Sequence, residues 1–551
     1  MYNIQVNSRI FTSGFSKFEK ALSYNTLCDI LYIIMSDILN AIIQDVDNLN
    51  NGKPVSNNAT NLPSLPKAKP LAYALFNNYH SANVNENSSI EERRYAYIEY
   101  TKLKSKLKKA YVEPTPIAPH CKLSVFHKAR YDKAAYEDAK ELPLSEQITK
   151  PTAMPVEISS LSELKEFFDR IAESIPANPE HVDSIGTYEK YIRGAYYTDG
   201  RIDLCKQVVG PTHIAELMRS FRMNQNVKHF LLGNNIIGPT GAKEIADFIL
   251  DPNKKSNIET WYIAGNDIDS VGMTLIANAL SKDPYCKDLW LKRNPIGPDG
   301  AKAIAEMLKT NTSIITLDLV NTAILDSGCI AIFDALKNNT SLKSIYLDAN
   351  GLTYKSAHAI ADYIRYRAKV NTEGLTHLSI GINRLGDQGA QIICDALRET
   401  WYPLECLVLS SNRIELDGLC SILDYAQSTP SLKVLDIGYY KATADMGELP
   451  NSFGNEGARL LARFILLNTP LKYLGFHNTH ITSLDIIEAV MPFNSNLISV
   501  SAEQFKLSSK KINDLCLRNS GLPLSKHKEL ARKLKHGINI QVIDSIYRNA
   551  D

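Results

Sequence analysis

The 551-residue chain lacks several signatures that assign a protein to a class at sight. Lys plus Arg number 61 and Asp plus Glu 60, so no global field draws the chain onto nucleic acid or an anionic membrane, and neither partner is expected. The nine Cys form no CxxC or other zinc spacing. Cys329, Cys394 and Cys420 instead fall in predicted helices, where small buried hydrophobes sit, and a reducing compartment is expected. The strongest apolar run, Leu27 to Ile43, is broken by Asp29 and Asp37, and the N-terminus has no signal-peptide core, so no membrane span is expected. A GxxxxGK[ST] phosphate loop, a GxGxxG opening a helix, HExxH and GxSxG are also missing, and no cofactor or catalytic residue is assigned. His477 and His480 lie three apart without further ligands in sight, so no metal site is assigned, while His377 and Cys406 occupy equivalent places one strand apart.

What the chain does have is a repeat. Residues 287–310 read KDLWLKRNPIGPDGAKAIAEMLKT and residues 375–398 read LTHLSIGINRLGDQGAQIICDALR. The shared unit is L1-x-x-L4-x-L6-x-x-N9-x-I11-G-x-x-G15. Leu289, Leu291, Asn294, Ile296 and Gly300 fill places four, six, nine, eleven and fifteen, as Phe230, Leu232, Asn235, Ile237 and Gly241 do earlier. About eleven units run from roughly 199 to 507, the later ones weaker, with Tyr440 read as the ninth place of the unit that begins near Leu435. The L-x-L core alternates as a strand does, and after the Gly the steps Ala301, Ile304, Ala305, Leu308 make one apolar helical face. Each unit cannot bury that face alone, so successive copies stack.

This pattern resembles the leucine-rich repeat family, in its long ribonuclease-inhibitor-like form shared by NOD-like receptors and Ran GTPase-activating protein. The resemblance implies an α/β leucine-rich repeat solenoid, a horseshoe with a parallel sheet inside and helices outside. Two departures bear on function. Nothing before residue 199 resembles the nucleotide-binding module of the receptors, and the chain ends basic where the GTPase-activating protein has an acidic tail.

Outside the repeats, residues 1–190 are read as a helical N-terminal region with an Asn/Pro-rich linker near 48–70, and residues 508–551 as a helical C-terminal cap. Within the former, Ser160 with Glu163 three residues on predicts a capped helix over 159–176. In the latter, Lys526, Lys528, Arg532, Lys533 and Lys535 form a basic cluster, read as a solvated face.

Function then turns on the third, fifth and seventh places, which face away from the helices. Tyr262, Trp290 and Tyr346 fall within four successive strands and bracket Asp318, with Lys292, Arg293 and Asp348 beside them. Aromatic side chains interleaved with charge match the composition of binding hot spots, although rings packing along the sheet would produce the same list. The eleven residues by which the Tyr440 to Thr479 interval exceeds its neighbours are placed in a loop at 441–453. The expectation is a cytoplasmic, non-enzymatic scaffold that holds a partner protein on the concave face. Two alternatives accompany it: an effector of a host-associated bacterium, delivered into a host cell, and a GTPase-activating protein for a small GTPase.

Overall fold

The computed structural model describes residues 151, 157–178, 180–370, 373–504, 507–536 and 542–548. The run Leu27–Ile43, the linker near 48–70 and the breaks and helices expected up to residue 150 lie outside the described residues. All described residues fall in one compact unit, Ile117–Asp551.

The first described element is the helix Leu161–Ala172, and its start is encoded as expected. The Ser160 backbone N–H donates to the Glu163 carboxylate at 3.0 Å, satisfying a donor the helix leaves open. Leu164, Phe167, Phe168 and Ile171 are buried. An antiparallel ribbon follows, β1 (His181–Val182), β2 (Thr187–Lys190) and β3 (Ala195–Tyr197), and β3 pairs antiparallel with β4 (Arg201–Asp203). Of these, β1 and β2 lie within residues 1–190, the stretch read as helical from the sequence. Their alternation spans only two to four residues, too short to separate strand from helix by period.

From β4 onward every strand is parallel to its neighbour. They are β5 (His229–Leu231), β6 (Thr260–Tyr262), β7 (Asp288–Trp290), β8 (Thr316–Asp318) and β9 (Ser344–Tyr346). Then come β10 (His377–Ser379), β11 (Cys406–Val408), β12 (Val434–Asp436), β13 (Tyr473–Gly475) and β14 (Ser499–Ser501). The described residues thus form one open sheet of 14 strands in sequence order, its last eleven parallel. The repeat register is the pairing register: Ile202, Phe230, Trp261, Leu289, Leu317 and Ile345, all fourth places, align across successive strands. A helix follows each strand from β4 to β13 and packs on the next helix, closing the core against one sheet face. Because a helix is about 10 Å wide and strands are about 4.8 Å apart, the opposite sheet face is the concave one.

Two recurring residues explain why the coil closes. Asn294 accepts from the backbone N–H groups of Asn266 (2.8 Å) and Ile268 (3.1 Å) and donates to the carbonyls of Ile263 (3.0 Å) and Leu291 (2.7 Å). One buried amide thus satisfies four main-chain groups in two adjacent coils, which an apolar residue cannot do. At place fifteen, a β-carbon on Gly300 would stand 2.5 Å from the Ile296 methyl, so Gly lets the helix settle on place eleven.

The insertion in the later repeats lies elsewhere than the spacing suggested. Asn451, not Tyr440, performs the ninth-place role, accepting from Asn412 N–H (2.8 Å) and Ile414 N–H (3.0 Å) and donating to the Leu409 and Ile437 carbonyls. Asn451-Ser452-Phe453-Gly454-Asn455-Glu456-Gly457 is the N-x-I-G-x-x-G motif with Phe in place of Ile. The extra residues therefore precede the asparagine, within 438–450.

At the far end, the helix Lys510–Ser520 covers β14 with Ile512 and Cys516 buried, and Asn519 donates to the carbonyls of Asn494 and Leu497, both at 2.9 Å. The next helix, Leu524–His536, turns back toward the sheet, where Leu534 packs against Cys406, Val408, Val434 and Tyr473.

Candidate functional site

The concave face gathers most of the residues singled out from the sequence, in a covered rather than an open state. Tyr262 and Trp290 adjoin across β6 and β7 with ring centroids 6.5 Å apart. Trp290 and Tyr346 are two strands apart, yet their centroids lie 5.7 Å apart, well under the ~9.6 Å of two strand spacings. The two rings therefore lean together over Asp318, the residue that pairs with both. Tyr346 continues the row onto His377 at 4.7 Å. The rings pack along the sheet, and together they form a continuous aromatic floor.

Burial governs the charges here. Asp318 has its carboxyl raised above the ordinary range, first by burial, with Lys292 and Arg293 and the backbone N–H of Val320 opposing. Asp348 is pushed up to about 7 by burial, against the donors Ser379 Oγ (2.8 and 2.9 Å) and Gly381 N–H (2.7 Å) that favour its ionised form. Lys292 places its ammonium 5.6 Å from the Tyr262 ring. Arg293, whose guanidinium donates to Asn234 Oδ1 at 3.2 Å, is the one of the seven candidates that is exposed. Lys292 and Tyr346 are half-buried, and Tyr262, Trp290, Asp318 and Asp348 are buried.

Much of this cover is the chain's own C-terminal segment, residues 542–548, which returns to the first repeats. Ile543 packs into a cluster with Cys205, Leu231, Tyr262, Ala264 and Trp290. Ser545 Oγ donates to Asp203 Oδ1 at 3.0 Å, and the Ile546 backbone N–H donates to Asp203 Oδ2 at 3.2 Å. The Arg548 guanidinium lies 4.4 Å from the Tyr262 ring centroid. Arg201 donates to the Asp544 carbonyl at 2.8 Å, and the Tyr547 hydroxyl accepts from Gly194 N–H at 3.1 Å. Arg532, one of the basic cluster, pairs with the Asp544 carboxylate at 2.6 Å. Asp203 is fully buried and pushed up to about 6 by that burial, with the Cys205 backbone N–H and Ser545 pulling it back. The sequence offered one signal for it, a carboxylate at the fifth place at the start of the aromatic row. The tail residues carry no repeat and gave none.

Cys406 Sγ and His377 Nε2 are 3.6 Å apart, but burial and the carboxylates of Asp436, Asp348 and Glu405 push the thiol well above its usual range. A thiol held protonated is a poor nucleophile. The inserted 438–450 segment is pinned rather than free: Glu448, itself buried, pairs with Arg384 at 2.6 Å and Arg413 at 2.7 Å. Among the described residues, no three His, Cys, Asp or Glu are placed to hold a metal ion, and no helix is long and apolar enough to cross a membrane.

A strand, a polar ninth-place turn and a helix, repeated along a sheet whose last eleven strands are parallel, define a leucine-rich repeat solenoid. A leucine-rich repeat family model matches residues 287–305. The chain is similar to the ribonuclease inhibitor of Sus scrofa, 21% identical over 227 residues, covering 41% of this chain and 42% of that protein. It is 24% identical over 219 residues to NACHT, LRR and PYD domains-containing protein 5 of Mus musculus (40% of this chain, 15% of that protein). It is also 24% identical over 294 residues to NACHT, LRR and PYD domains-containing protein 12 of Homo sapiens (52% of this chain, 26% of that protein). The chain thus spans less than half the length of these relatives. Among solved structures, an internalin from Listeria monocytogenes is 14% identical and covers 63% of this chain and 96% of its own, at a TM-score of 0.33.

Proposed function

We propose that the protein is a recognition scaffold that holds a partner protein on the concave face of its leucine-rich repeats. The patch is built from Tyr262, Trp290, Lys292, Arg293, Asp318, Tyr346 and Asp348. The observation that carries this reading is that the floor already accommodates a polypeptide segment: residues 542–548 lie on it with an apolar side chain packed against the rings and a cation against the Tyr262 face. Aromatic anchors surrounded by charge are the composition from which most interface energy comes. The cytoplasm is the compartment that suits seven buried free thiols among the described residues.

Because Tyr262 and Trp290 are buried, truncating them would disturb folding as well as binding. The test therefore uses the open charges. Affinity capture from lysate with the intact chain is compared with Lys292→Glu/Arg293→Glu and with a convex control, Lys302→Glu. A protein captured by the intact chain and the control but lost from the concave variant supports the reading. A capture that survives the concave change and fails in the control moves recognition to the helices.

A further inference from the structure

The tail on the concave floor is more than a lid of convenience, because each of its contacts is specific to a chemical group. Ile543 supplies a branched apolar side chain to a cluster whose base is Tyr262 and Trp290. Ser545 and Ile546 supply a hydroxyl and a main-chain N–H, one to each oxygen of the buried Asp203. Arg548 supplies a guanidinium to the face of Tyr262 and turns back to donate to the Ile543 carbonyl. Ser545 also accepts from the N–H groups of Tyr547 and Arg548, both at 3.2 Å, fixing a compact turn that presents these groups together. A buried carboxylate costs several kcal/mol unless donors reach it, so Asp203 calls for such donors whichever chain brings them.

The fit is also incomplete. The Trp290 indole N–H is buried without a hydrogen-bond partner, leaving a donor unsatisfied at a cost of about 1–3 kcal/mol. A segment that offered acceptors there would bind this floor better than the tail does.

We infer that residues 542–548 are a tethered stand-in for the partner, and that the partner binds by displacing them with a peptide segment of the same chemistry. That segment carries a branched apolar residue, a hydroxyl with an adjacent free N–H, and an arginine. It adds a carbonyl or carboxylate within reach of the Trp290 indole. The inference rests on the concave-face reading above and sharpens it to a class of ligand. It also implies regulation, since a tethered competitor acts at an effective concentration in the millimolar range and lowers apparent affinity in proportion.

The experiment uses the full chain. Ile543→Asp, Ser545→Ala and Arg548→Ala together release the tail while leaving every solenoid residue unchanged. A fluorescein-labelled peptide of residues 540–551 is then titrated against the wild-type chain and this variant, followed by anisotropy. The expected result is binding to the variant roughly ten- to a hundredfold tighter than to the wild type. A peptide carrying the same three substitutions should bind neither chain. The peptide should also compete with the protein captured from lysate, and the variant should capture more of it. If the peptide binds neither chain while circular dichroism shows both folded, the inference is overturned and the concave-face reading, tested by the charge-reversal capture, is untouched. If the peptide binds the opened variant but leaves the captured protein in place, the tail is a ligand of the floor but not a stand-in for the partner, and the inference fails.

Discussion

Asn294→Ala is the substitution that reads the solenoid's internal wiring most cleanly. The side chain is fully buried, and its amide serves four main-chain groups: the N–H of Asn266 and Ile268 and the carbonyls of Ile263 and Leu291. Alanine reaches none of them. A buried donor left alone costs about 1–3 kcal/mol, and carbonyls with a second lone pair lose less, so two orphaned N–H groups and two weakened carbonyls sum to about 3–5 kcal/mol. Repeat arrays do not always unfold in one step, so a global midpoint is the wrong readout. Native-state hydrogen exchange is the right one, because the effect belongs to the coil that spans β6 and β7. Protection of the Asn266 and Ile268 amides should fall by about a hundred- to several-thousandfold, while amides of β11 to β13 change little. Lys302→Ala, an exposed control paired only with Asp299 in the same helix, should change nothing beyond about 0.5 kcal/mol. A loss below about 1 kcal/mol at Asn294 would refute the claim that the ninth place wires one coil to the next.

Three further outcomes follow from single residues. Leu325 holds a left-handed φ of 56° at a place where Gly238, Gly297, Gly386 and Gly454 stand in other units. Leu325→Gly should therefore raise stability in urea by about 1 kcal/mol despite the lost side chain. Asp348 has a folded pKa near 7 against an ordinary value of 3.8, so the folded chain holds the extra proton and its stability falls as pH rises between about 4 and 7. Asp348→Asn should flatten that fall, with a gain at pH 8 of at most about 4 kcal/mol and little difference at pH 4. Glu448→Ala should remove the carboxylate that pairs with Arg384 and Arg413, costing about 3 kcal/mol and exposing 438–450 to limited proteolysis, whereas Glu448→Gln should do so less.

The repeat was legible because its information is periodic. Places four, six, nine and eleven recur, so Leu289, Asn294 and Ile296 could be placed before any coordinates, and the strand pairing follows their register. Legibility failed where a place is filled by substitution: Phe453 in an isoleucine's place hid the motif around Asn451, and counting at constant spacing set the ninth place at Tyr440. It failed again where structure depends on distant pairing. The β2–β3 ribbon is three to four residues per strand, and nothing in the local order of Thr187–Lys190 distinguishes it from a helix. The aromatic floor was visible as a list, but its cover was not. Asp203 meets Ser545 across more than three hundred residues of sequence, and no period or spacing connects the two.

The most direct test of the account is to ask where a bound protein touches. A photo-reactive phenylalanine analogue is placed at half-buried Val320, on the concave side beside Lys292 and Asp348, and in a second chain at exposed Lys302 on the convex helices. Both chains carry the tail-releasing substitutions and are irradiated in lysate. If the concave face holds the partner, one cross-linked protein appears from Val320 and disappears when the 540–551 peptide is added, and none of that protein appears from Lys302. Cross-linking of the same protein from Lys302 alone, or from Val320 with no effect of the peptide, would contradict it.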